Sequence, residues 1–291
     1  MSMDAGAAAG FPAGEWLDQL VARSLREDVG SGDVSTDVAV AAGARAAGAL
    51  RARSAGVVAG LPLVARVYRE LDPGVSFEPL VADGMAVTAG QSLARLSGPA
   101  GSLLTGERTA LNFAQHLSGI ATLTARYVAA VAGTRCLVLD TRKTLPGYRE
   151  LAKYAVRCGG GANHRFGLYD RVLLKDNHWA AGDGIADMVA RARSRWPALP
   201  IEVEVDTAAQ MDLVLPLGVE WIMLDNFTPE EVAAAVGERN RAGSSTRLEA
   251  SGNVTLETVA AYAQAGVDAV SVGRLTHSAP ALDLGLDLDL T

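Results

Sequence analysis

From residue 136 onward the chain alternates short strand-like runs with helical patterns, and this regularity constrains its fold more than any other feature. The strand-like runs cover residues 136–140, 172–175, 201–206, 221–225, 248–251 and 269–272. Helical patterns fill the intervals at 148–157, 185–196, 207–215, 229–240 and 256–265. Several runs are continuously apolar, as strands are when both faces are buried. Such alternation predicts a parallel sheet with right-handed crossovers. Six units without a long excursion favour a barrel, closed or partly open, over a doubly wound sheet. No Gly-x-Gly-x-x-Gly follows the first run, so a dinucleotide fold lacks its phosphate-binding turn.

The first hundred residues have a different texture. Residues 16–27 read as an amphipathic helix, with Leu17, Leu20, Val21 and Leu25 at helical spacing. A glycine-rich turn, Gly30-Ser31-Gly32-Asp33, ends it. Strands are expected within 44–59, at 75–81 and at 91–96, with a helix at 61–71 opened by Pro62. This is an α+β unit with a largely antiparallel sheet. A long helical stretch follows at 103–132, broken near Ser118-Gly119. At the C-terminus Leu282, Leu284, Leu286, Leu288 and Leu290 alternate with Asp or Gly. That period-two tail predicts a strand returning to the N-terminal sheet. The Ala- and Gly-rich first dozen residues are expected to be disordered.

Polar residues cluster where each barrel strand ends. The clusters are Asp140-Thr141-Arg142-Lys143, Lys175-Asp176-Asn177, Glu202 with Glu204 and Asp206, Asp225-Asn226, Ser251-Gly252-Asn253 and Ser271-Val272-Gly273-Arg274. In a parallel barrel these carboxyl ends converge on one mouth, where active sites form. Early strands supply cations, middle strands carboxylates and late strands Gly-rich turns. Such turns expose backbone N–H groups that suit a phosphate. The middle carboxylates suit ribose hydroxyls or a hydrated Mg²⁺. The pattern leaves open which of Glu202, Glu204 and Asp206 face inward, and whether Asp206 caps the next helix.

Charge narrows the ligand. The net charge is −7, so the surface as a whole repels nucleic acid and anionic membranes. Yet the three lysines, Lys143, Lys153 and Lys175, fall in one 33-residue window with Arg142, His164, Arg165 and His178. A cationic site in an acidic protein points to a small, highly anionic substrate. Lys153 lies mid-helix and reads as a solvated surface charge; His178 reads as a cap beside the site. Two cysteines, Cys136 and Cys158, have no metal-ligand or disulfide spacing. With no signal-peptide pattern and no membrane-length apolar run, a cytoplasmic protein is expected.

Taken together, eight runs in order resemble the quinolinate phosphoribosyltransferases. They are Glu107-Arg108-Thr109-Ala110-Leu111-Asn112, Asp140-Thr141-Arg142-Lys143-Thr144, Gly159-Gly160-Gly161-Ala162-Asn163-His164-Arg165, Leu174-Lys175-Asp176-Asn177-His178, Glu202-Val203-Glu204-Val205-Asp206, Leu224-Asp225-Asn226, Glu249-Ala250-Ser251-Gly252 and Ser271-Val272-Gly273. The resemblance implies an α/β fold: a sandwich domain over residues 1–112, an incomplete, open-faced β/α barrel over 113–278, and residues 279–291 returning to the sandwich. It implies transfer of a phosphoribosyl group from 5-phosphoribosyl-1-pyrophosphate (PRPP) to quinolinate, yielding nicotinate mononucleotide, pyrophosphate and carbon dioxide, with Mg²⁺ required. It also implies an obligate homodimer with a shared site, a higher oligomer being compatible.

The resemblance also implies roles. Arg108 (from the partner subunit), Arg142, His164, Arg165 and Lys175 would clamp the two quinolinate carboxylates. Thr141 and Lys143 would border PRPP, with Lys143 and Lys175 reaching its charges. Glu204 and Asp225 would bind ribose hydroxyls and metal-bound water and stabilise the charge developing on the sugar. Ser251, Gly252, Asn253, Ser271, Val272 and Gly273 would cradle the 5-phosphate. Asn253 and Arg274 depart from the family pattern of small residues. Three other readings stay open here: a Schiff-base aldolase using Lys175, a relative of the same fold turned to another phosphoribosyl acceptor or to metal metabolism, and a non-catalytic sugar-phosphate-binding protein.

Overall fold

The computed structural model describes residues 10–181 and 184–290. The chain forms two compact units. One takes the described residues up to Ala125 together with Glu150–Gly160 and the segment from Ser278; the other takes Arg126–Arg149 and Gly161–His277.

The first unit opens with α1 (Glu15–Val29) and α2 (Val34–Ala39). Asp33 caps α2 by accepting the Thr36 backbone N–H at 3.0 Å. Then come β1 (Arg45–Ala52), β2 (Gly56–Val57), α3 (Leu61–Leu71), β3 (Ser76–Pro79), β4 (Ala86–Val87) and β5 (Ser92–Pro99). Helix α1 buries Leu17, Val21 and Leu25, one stripe at four-residue spacing, and packs on α3. The expected disorder of the first dozen residues concerns mainly residues 1–9, outside the described residues. Phe11 packs edge-on against Tyr154, with ring centroids 5.1 Å apart.

A single helix, α4 (Ala100–Ala130), replaces the pair expected to break at Ser118-Gly119. These two residues serve close contact. Ser118 Oγ accepts the Ala59 N–H at 2.9 Å and donates to the Ala59 carbonyl at 3.1 Å. A Cβ on Gly119 would lie 2.1 Å from the Pro280 carbonyl oxygen. The boundary expected at residue 112 therefore falls inside a continuous helix.

After α4 the chain runs through β6 (Leu137–Leu139), α5 (Arg149–Cys158), β7 (Val172–Leu174), α6 (Asp176–Ala181), α7 (Ile185–Arg195), β8 (Ile201–Val205), α8 (Ala208–Val214), β9 (Trp221–Asp225), α9 (Pro229–Arg241), β10 (Arg247–Ser251), α10 (Val259–Gln264), β11 (Ala269–Ser271), α11 (Arg274–His277) and β12 (Leu284–Leu290). Strand β12 pairs antiparallel with β1, giving the sheet order β12-β1-β5-β3. The leucine tail thus returns to the N-terminal sheet as expected. Helix α5 groups with this first unit rather than with the barrel. It buries every residue from Leu151 to Val156, Lys153 included at 0% exposure. The expectation of a solvated Lys153 is corrected: a helix covered on all sides leaves no wet stripe for it.

The second unit holds six parallel strands in the order β6-β11-β10-β9-β8-β7. Strands β6 and β7 end the order without pairing to each other, so the sheet is an open-faced barrel. Thr207 and Thr228 form capping boxes with Gln210 and Glu231 at the starts of α8 and α9. Thr207, not Asp206, therefore caps α8. Among the described residues no helix is long and apolar enough to cross a membrane.

Candidate active site

Strand alternation puts Glu202 and Glu204 on the same face of β8. In register with them, Trp221, Met223 and Asp225 share a face of β9, Arg247, Glu249 and Ser251 one of β10, and Ala269 and Ser271 one of β11. This shared face is layered. At the strand starts, Trp221 packs with Leu139, Ala162 and Ala269. At the carboxyl ends, Glu204, Asp225, Ser251 and Ser271 line a cavity of about 470 Å³, with Thr141, Arg142, Lys143, His164, Arg165, Leu173, Lys175 and Met223.

The cavity brings together cations and carboxylates. Lys175, just past β7, donates its ammonium to Glu204 Oε2. Burial raises the Glu204 pKa; Lys175 opposes the shift and Asp225 adds to it. Asp225 is likewise raised by burial, against the pull of Lys175. These neighbouring carboxylates at a solvent-reachable cavity are a donor set that fits a hydrated divalent cation. Opposite them, burial and the neighbouring Arg142 guanidinium lower the Arg165 pKa. Arg142 Nε is buried without a hydrogen-bond partner among the described residues. Two crowded guanidiniums, one with an unsatisfied donor, call for an anion.

Several side chains missed by sequence reading hold these groups. Asp140, fully buried, accepts Asn163 Nδ2 at 2.5 Å and the His164 N–H at 2.9 Å, pinning the turn that carries Arg165. Arg149 grips the Arg142 carbonyl at 3.3 Å and the Phe166 carbonyl at 3.0 Å. Thr141 accepts the Lys143 N–H at 3.0 Å, and Thr276 donates to the Lys143 carbonyl at 2.8 Å. His178 Nδ1 accepts the Lys175 N–H at 2.8 Å, so this histidine caps α6 beside the site. Asn226, in the left-handed region at φ 58°, donates to Asp225 at 2.8 Å and accepts Asn253 Nδ2 at 3.3 Å.

Other expected contacts fall outside the lining. Gly252 and Asn253 have φ of 87° and 53°, and a Cβ on Gly252 would lie 2.2 Å from Asn226 Oδ1. They form a tight turn directly after Ser251. Gly273 lies against Lys143, with an added Cβ 3.0 Å from its Cδ. Val272 is buried and its N–H is taken by the Leu139 carbonyl at 2.9 Å. Arg108 is exposed on α4 and is not among the lining residues. His164 reaches the cavity, but its ring nitrogens face protein: Nδ1 accepts the Arg165 N–H at 2.7 Å and Nε2 lies 3.0 Å from Glu202.

His164, Glu202 and Glu249 also place ligand-type atoms within 4.8 Å of one another. The guanidinium of Arg171 already supplies a cation there, 2.9 Å from Glu202 and 3.5 Å from His164. A larger cavity of about 650 Å³ in the other unit is lined by Asp33, Asp37 and Asp72, which repel anions.

Comparison with known proteins agrees with this geometry. Family models described as the N-terminal and C-terminal domains of quinolinate phosphoribosyl transferase match residues 33–118 and 120–287. The chain is 45% identical over 271 residues to a nicotinate-nucleotide pyrophosphorylase [carboxylating] of Mycobacterium leprae, covering 92% of this chain and 95% of that protein. It is 39% identical to a probable counterpart from Bacillus subtilis, covering 94% of each. Among solved structures, NadC from Streptococcus pyogenes superposes with a TM-score of 0.89 at 42% identity, covering 94% of this chain and 97% of that one. The nicotinate-nucleotide pyrophosphorylase from Francisella tularensis superposes with a TM-score of 0.91 at 36% identity, covering 96% and 98%.

Proposed function

The chain belongs to the quinolinate phosphoribosyltransferase family, and from that premise we propose how its cavity performs the reaction. It joins quinolinate to PRPP in NAD biosynthesis, releasing pyrophosphate and carbon dioxide and leaving nicotinate mononucleotide. The observation that carries the site assignment is the Arg142–Arg165 pair, crowded and partly desolvated, with Arg142 Nε unsatisfied. A dianionic acid offers that pair two carboxylates for bidentate contacts. Lys175 lies within reach of the same acid and of the sugar pyrophosphate.

Lys143 borders the leaving pyrophosphate as a point charge. Glu204 and Asp225 hold the ribose hydroxyls and would hold a hydrated Mg²⁺, which would supply charge to neutralise the pyrophosphate. As the bond from the sugar to pyrophosphate breaks, positive charge develops on the ribose, and the two fixed carboxylates stabilise it. The pyridine nitrogen then forms the new bond and becomes cationic. The carbon–carboxylate bond beside it breaks, its electron pair enters the ring next to that nitrogen, and a proton replaces the lost carbon dioxide. The Ser251-Gly252-Asn253 turn, with Ser271 and Gly273, takes the 5-phosphate.

On this reading the enzyme is a cytoplasmic homodimer, and Arg108 of one subunit completes the quinolinate clamp of the other. Its exposure on α4, outside the cavity of its own chain, supports that role. The test is purified protein with PRPP, Mg²⁺ and quinolinate, assayed for nicotinate mononucleotide and carbon dioxide. Nicotinate serving equally well would overturn the dianion clamp. Borohydride is expected to trap no adduct on Lys175.

A further inference from the structure

Directly beneath the cavity floor lies a charged layer that the mechanism above does not use. Glu202 and Glu249 are both fully buried, on the inward faces of β8 and β10, with β9 between them. Both face His164, whose Nε2 lies 3.0 Å from Glu202 and 3.5 Å from Glu249. Arg171 donates to Glu202 at 2.9 Å and stacks over Trp221 with its guanidinium carbon 5.6 Å from the ring centroid. Glu202 therefore has two donors. Glu249 has none: neither of its oxygens has a hydrogen-bond partner among the described residues.

The remaining neighbours do not change that balance. From β11, the Ser271 hydroxyl faces Glu249 and draws its pKa down, a smaller effect than burial. Cys136, ahead of β6, feels its charge, and that buried thiol is itself pushed up to about 12. From β9, Met223 stands opposite in register and brings no charge. With both glutamates ionised, Arg171 cationic and His164 neutral, these four side chains carry one net negative charge under an anion-binding cavity; Asp140 behind His164 and Arg165 above it add one charge of each sign. A dry carboxylate without donors is costly, and the cost falls when it takes a proton.

The proton has one favoured seat. The ring of His164 already carries a proton on Nε2, because Nδ1 accepts the Arg165 N–H at 2.7 Å. A second ring proton on Nδ1 would meet that N–H head-on, even though Glu249 and Glu202 outweigh burial and draw the histidine pKa upward. Burial raises the Glu202 pKa, but the hydrogen bonds from His164 and Arg171 and the Arg171 guanidinium outweigh it and hold Glu202 below the usual carboxylate range. Burial and the adjacent Glu202 push Glu249 up to about 7.

We propose that Glu249 is a proton-holding positioning residue for this reaction, taking up a proton as the dianionic acid binds above His164 and Arg165. Protonation makes the layer neutral, so the anion meets no opposing charge from below. It also leaves His164 Nε2 directed at Glu202, which keeps the Arg165 backbone in place. This inference rests on the reading that the cavity takes quinolinate.

Two measurements test it. The first is the heat of quinolinate binding to the wild-type enzyme near neutral pH, in buffers of different ionisation enthalpy; proton uptake makes that heat depend on the buffer. The second is the KM for quinolinate and for PRPP across the pH range. In the wild type, the KM for quinolinate is expected to rise above about pH 7 by at most about tenfold per pH unit, as one linked proton requires. Glu249→Gln, permanently neutral, should flatten that rise and abolish its share of the uptake. Glu249→Asp, drawn back from His164, should move the midpoint, and it decides the matter if the glutamine variant does not fold. A heat independent of buffer, or a variant with the wild-type slope and midpoint, overturns the proposal. Absence of nicotinate mononucleotide from the wild type would instead overturn the functional reading itself.

Discussion

The Lys175 ammonium donates to Glu204 Oε2 across the carboxyl ends of adjacent strands β7 and β8. Their exposures differ: the lysine side chain is 42% exposed and the glutamate 8%. The pair is therefore a cation at the cavity rim anchored on a carboxylate in its wall. Around it, Asp225 and Asp176 add negative charge that burial cannot disperse. Function has concentrated carboxylates here at the expense of stability.

That imbalance predicts opposite signs for stability and activity in Glu204→Gln. The folded-state pKa of Glu204 is raised above its unfolded value, as is that of Asp225. Such groups favour the folded state below the unfolded pKa, and this contribution is lost as pH rises through the folded pKa. At neutral pH both are a liability, so Glu204→Gln should melt no lower than the wild type. Its kcat should fall by about 10²-fold or more, as when a preorganised group for transition-state charge is lost. Lys175→Gln, which strands a buried carboxylate, should instead lose roughly 1 kcal/mol. Melting curves and steady-state kinetics on both variants check this; a Glu204→Gln variant with a clearly lower melting temperature contradicts it.

The two guanidiniums predict a split in KM. Arg142→Ala and Arg165→Ala should each raise the KM for quinolinate by about 10²-fold, the loss of a charged bidentate contact, with a much smaller effect on PRPP. Equal effects on both substrates would move the clamp elsewhere. His164→Ala should weaken quinolinate binding less than either arginine change, because its ring nitrogens contact Arg165 and Glu202 rather than the ligand.

The turn after Ser251 predicts a PRPP defect. Gly252 has φ of 87°, and its added Cβ would lie 2.2 Å from Asn226 Oδ1 and 3.0 Å from the Asn226 backbone nitrogen. Gly252→Ala must therefore push Asn226 away or distort the turn, at a strain of about 1–3 kcal/mol. Asn226 also holds Asp225, so the KM for PRPP should rise while quinolinate binding is largely spared. An unaltered KM for PRPP would exclude this turn from the phosphate site.

What the amino-acid sequence discloses, and what it hides, follows from range. Strand direction is local, so periodicity alone gathers the residues at the ends of β6 to β11 at one mouth, while the parity of β8 takes the sheet register to fix. Glu204 and Asp225 are legible in this way. Depth is not. Glu249 shows in the sequence only within the run Glu249-Ala250-Ser251-Gly252 and Arg171 in no pattern, and only the barrel packs them against His164. Lys153 escapes a pattern-based reading because α5 is covered on every side, which periodicity cannot reveal. The orientation of His164 depends on Asp140 and Glu202, partners 24 and 38 positions away, and no local pattern encodes it.

Gly119 shows the same limit and yields a prediction with a built-in control. Within a helix, glycine costs about 1 kcal/mol relative to alanine, so replacing it should stabilise where space allows. Gly237 in α9 meets that condition, with no atom within 4 Å of an added Cβ. Gly237→Ala should accordingly raise the melting temperature. In α4, an added Cβ on Gly119 would lie 2.1 Å from the Pro280 carbonyl oxygen and 3.0 Å from Ala281 Cα, both backbone atoms that cannot rotate away. Relieving that overlap means moving the segment that leads into β12, which is paired along its length with β1. Overpacking of this kind costs about 1–3 kcal/mol and exceeds the helical gain. Gly119→Ala should therefore melt lower than the wild type while Gly237→Ala melts higher. If both variants shift the same way, the close approach of the C-terminal segment to α4 is not what selects glycine there.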